Sequence, residues 1–327
     1  MAQGRTLIVA PYVGEFGWEL MNWQGRVRYL ARRGGFERIV VCARPDRRPL
    51  YVDPRTPGRI VFCPLPAVEL PGRANDDHRV DDEGRALSPA KLRRVVEDMV
   101  SQACVAVGIC IDDSEMLMPG YRSEIRPTTR ANQCITNLRL PCDLATDVVL
   151  IPRLRGLASE RNRPESWWLK LGEQLRSRGL VVETYEPCLD RAILQLSRAR
   201  LAIGASTGGL HLASLCGCPH YVWGSGSECR WTSMQITNRQ RYETVWNPLG
   251  TRCRYDECGW EPSMGHVVDQ TRRALDEIGL ASGYRVNRRW IKPKWRVKRR
   301  LARVMESSPQ QSLWPWRLQE LVRQRLV

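Results

Sequence analysis

Short apolar runs alternate with amphipathic helical segments throughout the second half of the chain, and this alternation constrains the fold more than any other feature. The pattern predicts strands at 147–154, 180–187, 200–206 and 219–225, with helices between them at 164–179, 189–199 and 207–217. Strands and helices in this order form a parallel sheet with right-handed crossovers. The second half is therefore predicted to be a doubly wound α/β domain that binds its ligand beyond the carboxyl ends of its strands.

The first half shows the same alternation less regularly. The run 6–13 predicts a buried strand followed by a helix that glycines close, and 38–44 and 59–66 predict further strands. A helix over 88–103 is predicted to start at Ser88 as N-cap, with a proline at its first position. Residues 67–90 favour a loop, and the stretch from that helix to about residue 144 has no clear pattern.

The length of the chain allows more than one hydrophobic core. It has 327 residues, whereas single cores stop growing near ~250–300 residues. We predict an α/β protein with two facing Rossmann-like, doubly wound domains and a cleft between them. Residues 1–145 form the first domain, 146–284 the second and 285–327 a basic C-terminal tail.

Composition excludes several classes of protein. The chain is 43% hydrophobic and 26% charged, as globular proteins are. No run approaches the ~20 apolar residues of a membrane-spanning helix. The N-terminal apolar run is short and is followed at once by Glu15 and Glu19, which favours a strand over a signal peptide. We therefore expect a cytoplasmic protein.

The 12 cysteines favour buried thiols over a disulfide framework. Most lie inside apolar runs, and disulfide scaffolds are typically short secreted chains. Cys216-x-Cys218 and Cys253-x4-Cys258 could bind a metal, but neither has the paired two-residue spacing of a zinc ribbon. The sequence therefore predicts neither a metal site nor a cofactor.

A small-residue turn separates the apolar strand 200–206 from the helix that follows it. The turn reads Ser206-Thr207-Gly208-Gly209. Glycines let the backbone approach a ligand closely, and the free N–H groups and dipole of a helix N-terminus favour an anion. A diphosphate is the predicted occupant. The alternative is a tight turn in which Ser206 or Thr207 caps the helix.

The run 200–224 resembles the nucleotide-sugar motif of the heptosyltransferase family, glycosyltransferase family 9. That motif reads roughly Asp-Ser/Thr-Gly-Pro-x-His-Leu-Ala, followed by a small residue, Gly, x, Pro and an apolar strand ending in Gly. Residues Ser206 to Ala213, Gly217, Pro219 and Gly224 stand at the positions of this motif. Two of them differ from it: Ser206 stands where the family has Asp, and Gly209 where it has Pro. The resemblance implies a GT-B fold in which 1–145 is the acceptor-side domain and 146–284 the nucleotide-sugar-binding domain. It also makes His211 a donor to phosphate or ribose oxygen, the alternative being a packed histidine.

Two further segments resemble the donor side of that family. Residues 151–179 look like the start of its C-terminal domain, where Arg153 and Arg155 leave a strand at the cleft and could bind phosphate through their guanidinium groups. The Trp-Asn-Pro turn within 241–251 resembles its late donor loop, which implies that Glu243 or Asn247 contacts a ribose or base edge. Arg161 and Arg163 are weaker candidates for the same role. The alternative for these arginines is a solvated basic loop, and the alternative for the Trp-Asn-Pro segment is an ordinary Asn-Pro turn.

Sugar transfer by direct displacement needs a base that removes the proton of the acceptor hydroxyl. The resembled family places an Asp in the loop after its first strand, and this chain offers Glu15 and Glu19 there. Glu15 is the preferred candidate because it lies in the loop, whereas Glu19 is in the first turn of a predicted helix. Asp-x-Asp does not occur, so we expect a metal-independent enzyme that stabilises the leaving diphosphate with Arg and helix N–H groups.

The basic tail carries most of the net charge of +16. Residues 285–304 contain ten Lys or Arg and no acid, interleaved with Trp290 and Trp295. Such a segment suits an anionic membrane surface, and equally a helix that packs back on the N-terminal domain. Nucleic acid is a less favoured partner for this tail.

The leading hypothesis is a glycosyltransferase that moves a sugar from a nucleotide-sugar donor to a cell-surface glycan or a lipid-linked acceptor. The basic tail suggests a peripheral location at the inner face of the membrane. A fucosyltransferase-like enzyme of similar fold and a basic nucleic-acid-binding α/β protein are the alternatives.

Overall fold

Two parallel β-sheets with helices between their strands make up the described part of the chain. The computed structural model describes residues 5–52, 59–65, 88–111, 114–118, 134–154, 159–226, 228–229 and 236–279. The predicted loop at 67–87, Arg155 and the basic tail lie outside these residues. Within them, no helix is both long and apolar enough to cross a membrane.

The N-terminal sheet has four parallel strands in the order β3-β2-β1-β4. Its strands are β1 Thr6–Val9, β2 Arg38–Ala43, β3 Ile60–Pro64 and β4 Ser114–Leu117. Its helices are α1 Phe16–Trp18, α2 Gln24–Arg33, α3 Arg48–Tyr51 and α4 Pro89–Ala106, with a π-helical turn Glu19–Trp23 joining α1 to α2 and a 3-10 turn Pro45–Arg47 before α3.

The C-terminal sheet has five parallel strands in the order β11-β8-β7-β5-β6. The elements of this half follow one another as β5 Thr146–Leu150, a 3-10 turn Ser159–Arg161, α5 Glu165–Arg176, β6 Val182–Thr184, α6 Leu189–Ser197, β7 Ala199–Ala205, α7 Gly208–Leu215, β8 His220–Trp223, β9 Glu228–Cys229, β10 Ile236–Thr237, α8 Asn238–Gln240, a π-helical turn Arg241–Val245, β11 Cys253–Asp256 and α9 Met264–Gly279. The short strands β9 and β10 pair with each other as an antiparallel ribbon.

The α/β architecture with parallel sheets is confirmed, and the predicted strands and helices recur with shifts of a few residues at their ends. Ser88 caps α4, since its side chain accepts the Lys91 N–H at 3.2 Å. Strand β4 was not predicted. It pairs in parallel with β1 from within the stretch that has no clear pattern, and its side chains are only partly buried, so it lacks the apolar signal of a central strand.

Each sheet has a point at which the order of its strands reverses. In the N-terminal sheet this point lies between β1 and β4, and in the C-terminal sheet between β5 and β7. Ligands of open parallel sheets bind in the crevice that such a reversal leaves at the carboxyl ends of the strands. The loop after β1 and the turn after β7 are therefore the positions where the topology favours a ligand.

One hydrophobic cluster continues from the helices of the first sheet into those of the second. It includes Leu20 and Trp23 from the first half with Leu212, Tyr242 and Trp246 from the second. Trp18 also meets Trp246 edge to face, with ring centroids 4.9 Å apart. The two halves thus share a core, and this contact fixes the position of one set of strand ends against the other.

Candidate functional site

The loop after β1 lies directly against the turn after β7. A Cβ atom built on Gly208 would lie 3.2 Å from Cδ1 of Phe16 and 3.3 Å from the backbone nitrogen of Gly17. A Cβ on Gly17 would in turn lie 3.8 Å from Cα of Gly208. A side chain at either position would require neighbouring atoms to move by a few tenths of an ångström. The structure therefore brings the Glu15 loop together with the predicted diphosphate turn.

The N-terminus of α7 is not capped by its own side chains. Thr207 occupies the N-cap position with an extended backbone, and its side chain makes no capping hydrogen bond. Both Thr207 and Gly208 are partly exposed. The first N–H groups of a helix have no partner within the helix, and together with its dipole they favour an anion. The alternative prediction, a turn whose hydroxyls serve as caps, is not what the structure shows.

The hydroxyl of Ser206 is part of a network that brings a cation to the turn. Arg241 Nη2 donates to Ser206 Oγ at 2.7 Å, and Ser206 Oγ lies 3.0 Å from the hydroxyl oxygen of Tyr242. Tyr242 donates in turn to the carbonyl oxygen of Thr207 at 3.2 Å, so Ser206 donates to Tyr242. Where the resembled motif has an Asp, this chain thus has a Ser bound to an Arg.

Sequence reasoning missed Arg241. The sequence predicts a ribose or base contact from the segment 241–251, with Glu243 or Asn247 as the contacting residue. The π-helical turn Arg241–Val245 directs the guanidinium back towards β7, over the rings of Tyr242 and Trp246 at 5.0 and 5.4 Å. A basic residue followed by an aromatic one at the start of the donor loop is the signal that could have found it.

His211 lies beneath the contact between the two halves. Its ring is 3% exposed, stacks on Tyr242 with centroids 4.2 Å apart and meets Trp246 edge to face at 4.8 Å. Burial, together with the nearby Arg241 and His220, holds the pKa of His211 well below its ordinary value, so the ring is neutral. Its Nδ1 atom has no hydrogen-bond partner among the described residues. A contact of His211 with a donor stays a prediction.

Arg153 is buried shortly after the end of β5. It is 1% exposed, and Nη1 donates to Oδ1 of Asn162. Arg161 and Arg163 hold a neighbouring loop: Arg161 lies 4.6 Å from the ring centroid of Trp260, and Arg163 donates to the carbonyl oxygen of Pro262 at 2.8 Å. Arg161 and Arg163 therefore stabilise the loop. Phosphate binding by the buried Arg153 stays a prediction.

Asn247 and Glu243 hold the backbone around them. The side-chain oxygen of Asn247 accepts the Thr251 N–H at 2.8 Å, and its amide nitrogen donates to the Thr251 carbonyl. Glu243 accepts the N–H of Tyr255 at 3.4 Å. Both ends of the Asn247 amide are thus used to close the turn after Trp246. The structure places these residues beside Arg241 without showing a free group for a ribose or a base.

The two predicted bases lie in different surroundings. Glu19 is 5% exposed and accepts from the Tyr51 hydroxyl at 2.7 Å and from Arg47 Nε at 3.1 Å. Burial raises the pKa of Glu19 against the opposing effect of Arg47. Glu15 is partly exposed, and its backbone carbonyl accepts the N–H of Trp18 at 2.9 Å at the start of α1. This placement favours Glu15 as the group that can reach a substrate.

A second cation lies on the side of the first half. Arg47 follows β2, and its guanidinium carbon lies 4.6 Å from the ring centroid of Phe16, the ring that contacts Gly208. Arg47 is buried and forms ion pairs with Glu19 and with Asp46, whose Oδ2 lies 2.5 Å from Arg47 Nη1. Its charge is therefore largely compensated, whereas Arg241 donates to Ser206, the residue that precedes the N-cap of α7.

No protein-family model and no curated protein matches the chain. Among solved structures it is similar to E. coli ADP-heptose lps heptosyltransferase II, with 13% identity, 84% of this chain and 99% of that chain covered, and a TM-score of 0.47. It is similar to a glycosyl transferase family 9 protein from Veillonella parvula, with 11% identity, 84% of this chain and 97% of that chain covered, and a TM-score of 0.46. It is also similar to the E. coli heptosyltransferase WaaC, solved with ADP, with 11% identity, 83% of this chain and 99% of that chain covered, and a TM-score of 0.42. At these values the likeness by itself defines neither the fold nor the function of this chain.

Proposed function

We propose that this chain is a glycosyltransferase of GT-B architecture that takes a sugar from a nucleotide-sugar donor. The observation that carries the proposal is the contact between Gly17 and Gly208, which sets an uncapped helix N-terminus against an acidic loop of the other half. Both elements follow strands at the reversal points of their sheets, where open α/β folds bind ligands. The motif around Ser206 to Ala213 supports the same assignment.

The donor diphosphate binds at the N-terminus of α7. The N–H groups at Gly208 and Gly209 and the hydroxyl of Thr207 donate to its oxygens, and Arg241, held at Ser206, adds a positive charge. As the bond from the sugar to the diphosphate breaks, negative charge develops on the leaving oxygen. Fixed donors already in place stabilise that charge without having to reorganise. Since Arg and backbone groups supply this stabilisation, the transfer proceeds without Mg²⁺ or Mn²⁺.

Glu15 acts as the general base. It removes the proton of the acceptor hydroxyl while the hydroxyl oxygen attacks the anomeric carbon and the diphosphate departs. Glu19 is disfavoured for this role because both of its carboxylate oxygens are engaged by Tyr51 and Arg47. Its part is to hold the loop that carries Glu15.

The acceptor is a cell-surface glycan or a lipid-linked glycan, and the enzyme works in the cytoplasm at the inner face of the membrane. The charge of residues 285–304, with ten Lys or Arg and no acid, supports this location because anionic lipids attract such segments.

Donor binding is tested by thermal-shift measurements with ADP-, GDP- and UDP-sugars, followed by calorimetry with the donor that stabilises the protein. Replacing Arg241 by Met removes a charge-assisted contact, so affinity should fall by roughly 10–100-fold. Arg272→Met, on the exposed face of α9, is the matched control and should bind as the wild type does. If no nucleotide sugar stabilises the protein, or if Arg241→Met binds it unchanged, the proposal fails. Turnover with Mg²⁺ and Mn²⁺ omitted tests the metal independence.

A further inference from the structure

Three side chains with metal-binding groups converge at the edge of the C-terminal sheet. Asp256 ends β11, Cys258 follows two residues later, and His266 lies in the first turn of α9. One carboxylate oxygen, the Cys258 sulfur and one imidazole nitrogen all lie within 4.8 Å of one another. Asp256 and His266 are partly buried and Cys258 is exposed, so the group is open to solvent on one side.

Neighbouring groups hold these side chains in place. The Tyr221 hydroxyl donates to Asp256 Oδ2 at 3.1 Å, and the Cys258 N–H donates to Asp256 Oδ1 at 3.2 Å. Ser263 Oγ accepts the backbone N–H of His266 at 3.3 Å, which fixes the start of α9. Hydrogen bonds of this kind orient metal ligands before the ion binds and are typical of the surroundings of metal sites.

We propose that Asp256, Cys258 and His266 bind a divalent transition-metal ion of the zinc type, with water as the fourth ligand. A thiolate, an imidazole and a carboxylate are the three side-chain ligands that Zn²⁺ takes, and sulfur disfavours Mg²⁺ and Ca²⁺. The site lies on the edge strand β11, which β8 separates from β7 and the diphosphate turn. Its role is to tie the end of β11 to the start of α9, and it does not depend on the proposed function.

The His266–Asp256 pair needs only a small adjustment to accept the ion. His266 Nε2 lies 2.7 Å from Asp256 Oδ2. Two ligands bound tetrahedrally at about 2.0–2.1 Å from zinc are about 3.3 Å apart, so the imidazole has to withdraw by roughly half an ångström. Burial and the Asp256 carboxylate raise the pKa of the Cys258 thiol to about 11. Ligation therefore displaces a proton at neutral pH.

Sequence spacing alone did not find this group. The pair Cys253-x4-Cys258 contributes only its second member, because Cys253 begins β11 and Asp256 ends it. The remaining ligands are an acid two residues before Cys258 and a histidine eight residues after it, a spacing outside the usual zinc patterns. The fold of the turn between β11 and α9 brings them together.

Titration of the metal-free full-length protein with Co²⁺ tests the site. Co²⁺ reports tetrahedral geometry by its visible absorption and a Cys ligand by a thiolate-to-metal band in the near ultraviolet. We expect saturation at one equivalent per chain, and competition by Zn²⁺ that abolishes both signals. Cys258→Ser should remove the thiolate band and weaken binding at least tenfold, while His266→Gln should weaken binding but keep the band. Cys142→Ser, at an exposed cysteine elsewhere, is the matched control.

Two results of the Co²⁺ titration would contradict the proposed metal site. Co²⁺ that does not saturate, or a thiolate band that persists in Cys258→Ser, overturns the proposal and leaves the three side chains as a hydrogen-bonded link. Far-ultraviolet circular dichroism shows whether each variant is folded. Should Cys258→Ser unfold, the affinity of His266→Gln decides the matter, since an unchanged affinity there also overturns the site.

Discussion

At the scale of single residues, Glu15 and Glu19 show how far environment separates two carboxylates on neighbouring turns. Glu19 faces inward and is held by Tyr51 and Arg47, whereas Glu15 stands in the loop beside the helix end of the other half. A base must reach the proton it removes, so accessibility decides between them before pKa does. Sequence position favoured Glu15 for the same reason.

Replacing Glu15 by Gln tests this assignment. The amide keeps the shape of the side chain but cannot accept the proton, so turnover should fall by roughly 10²–10⁴-fold while the dissociation constant of the donor stays the same. Steady-state kinetics and calorimetry measure the two quantities. Glu173→Gln, at an exposed position on α5, is the control. A Glu15→Gln protein with wild-type turnover would exclude Glu15 as the base.

The sequence predicted the turn but not the full set of residues around it. The glycines, Ser206 and Thr207 are recognisable because they are adjacent in the chain and stand between an apolar strand and an apolar helix. Arg241 reaches Ser206 from 35 residues away, and only the fold brings the two together. The side-chain bonds that commit Asn247 to Thr251 are likewise invisible in an Asn-Pro pair.

At the scale of elements, two glycines in different elements allow a close approach to Ile151, the residue that follows β5. A Cβ on Gly209 in α7 would lie 2.7 Å from Cγ2 of Ile151, and one on Gly204 in β7 would lie 2.6 Å from the Ile151 carbonyl oxygen. Contacts this short are not seen for real Cβ atoms, so α7 lies this close to Ile151 because Gly209 has no side chain. The resembled family has Pro at the position of Gly209, and the close approach of Ile151 explains why glycine suits this chain.

Substituting Gly209 by Ala should therefore push α7 away from β5. We expect a loss of about 1–3 kcal/mol in the free energy of unfolding, as for other overpacked sites, and weaker donor binding. Gly265→Ala in α9 is the control, because a Cβ there meets nothing within 4 Å and its stability should change by no more than about 1 kcal/mol. Urea denaturation of both variants measures the difference. Equal stability of the two would contradict the packing argument.

Elements with a strong apolar period were predictable, and those without one were not. Buried strands such as β2 and β7 and amphipathic helices such as α5 follow from the spacing of their apolar residues. Strand β4 is half-buried at a sheet edge and so has little pattern. The π-helical turns Glu19–Trp23 and Arg241–Val245 are only five residues long, which is too short for an apolar period to reveal them.

At the scale of the whole molecule, buried neutral histidines make stability depend on pH. Burial lowers the pKa of His220 to about 4, whereas an exposed histidine titrates near 6.5. Between these values the unfolded chain binds the proton and the folded chain does not, so stability is full above about 6.5 and is lost as the pH falls towards 4. His211, whose pKa is also lowered by burial, acts in the same direction.

The variant His220→Asn isolates this effect. Nδ1 of His220 donates to the Cys218 carbonyl oxygen at 3.1 Å, and an asparagine amide can make a similar bond without titrating. Between pH 7 and pH 4 the wild type should lose about 3 kcal/mol more of its unfolding free energy than the variant does. Urea midpoints at intervals of pH measure this. Parallel curves for the two proteins would show that His220 is not buried in the neutral form.

The tail makes a separate prediction. Removing residues 285–327 should abolish binding to vesicles of anionic lipid, to which each Lys or Arg near the surface contributes about 1 kcal/mol, and should leave nucleotide-sugar binding unchanged. Zwitterionic vesicles are the control, and co-sedimentation measures the bound fraction. Should the full-length chain ignore anionic vesicles but bind nucleic acid through the tail, the membrane assignment is wrong.

The continuous core between the two sheets limits how such a protein can be recombined. Leu20 and Trp23 pack in the same cluster as Leu212 and Trp246. A chimera that joins one half to a half from another protein would therefore expose hydrophobic side chains that have lost their packing partners. A successful graft has to carry the segment Phe16–Trp23 together with the C-terminal half against which it packs. The boundary of an exchanged unit should therefore follow this hydrophobic cluster, and not the chain segment near residue 145.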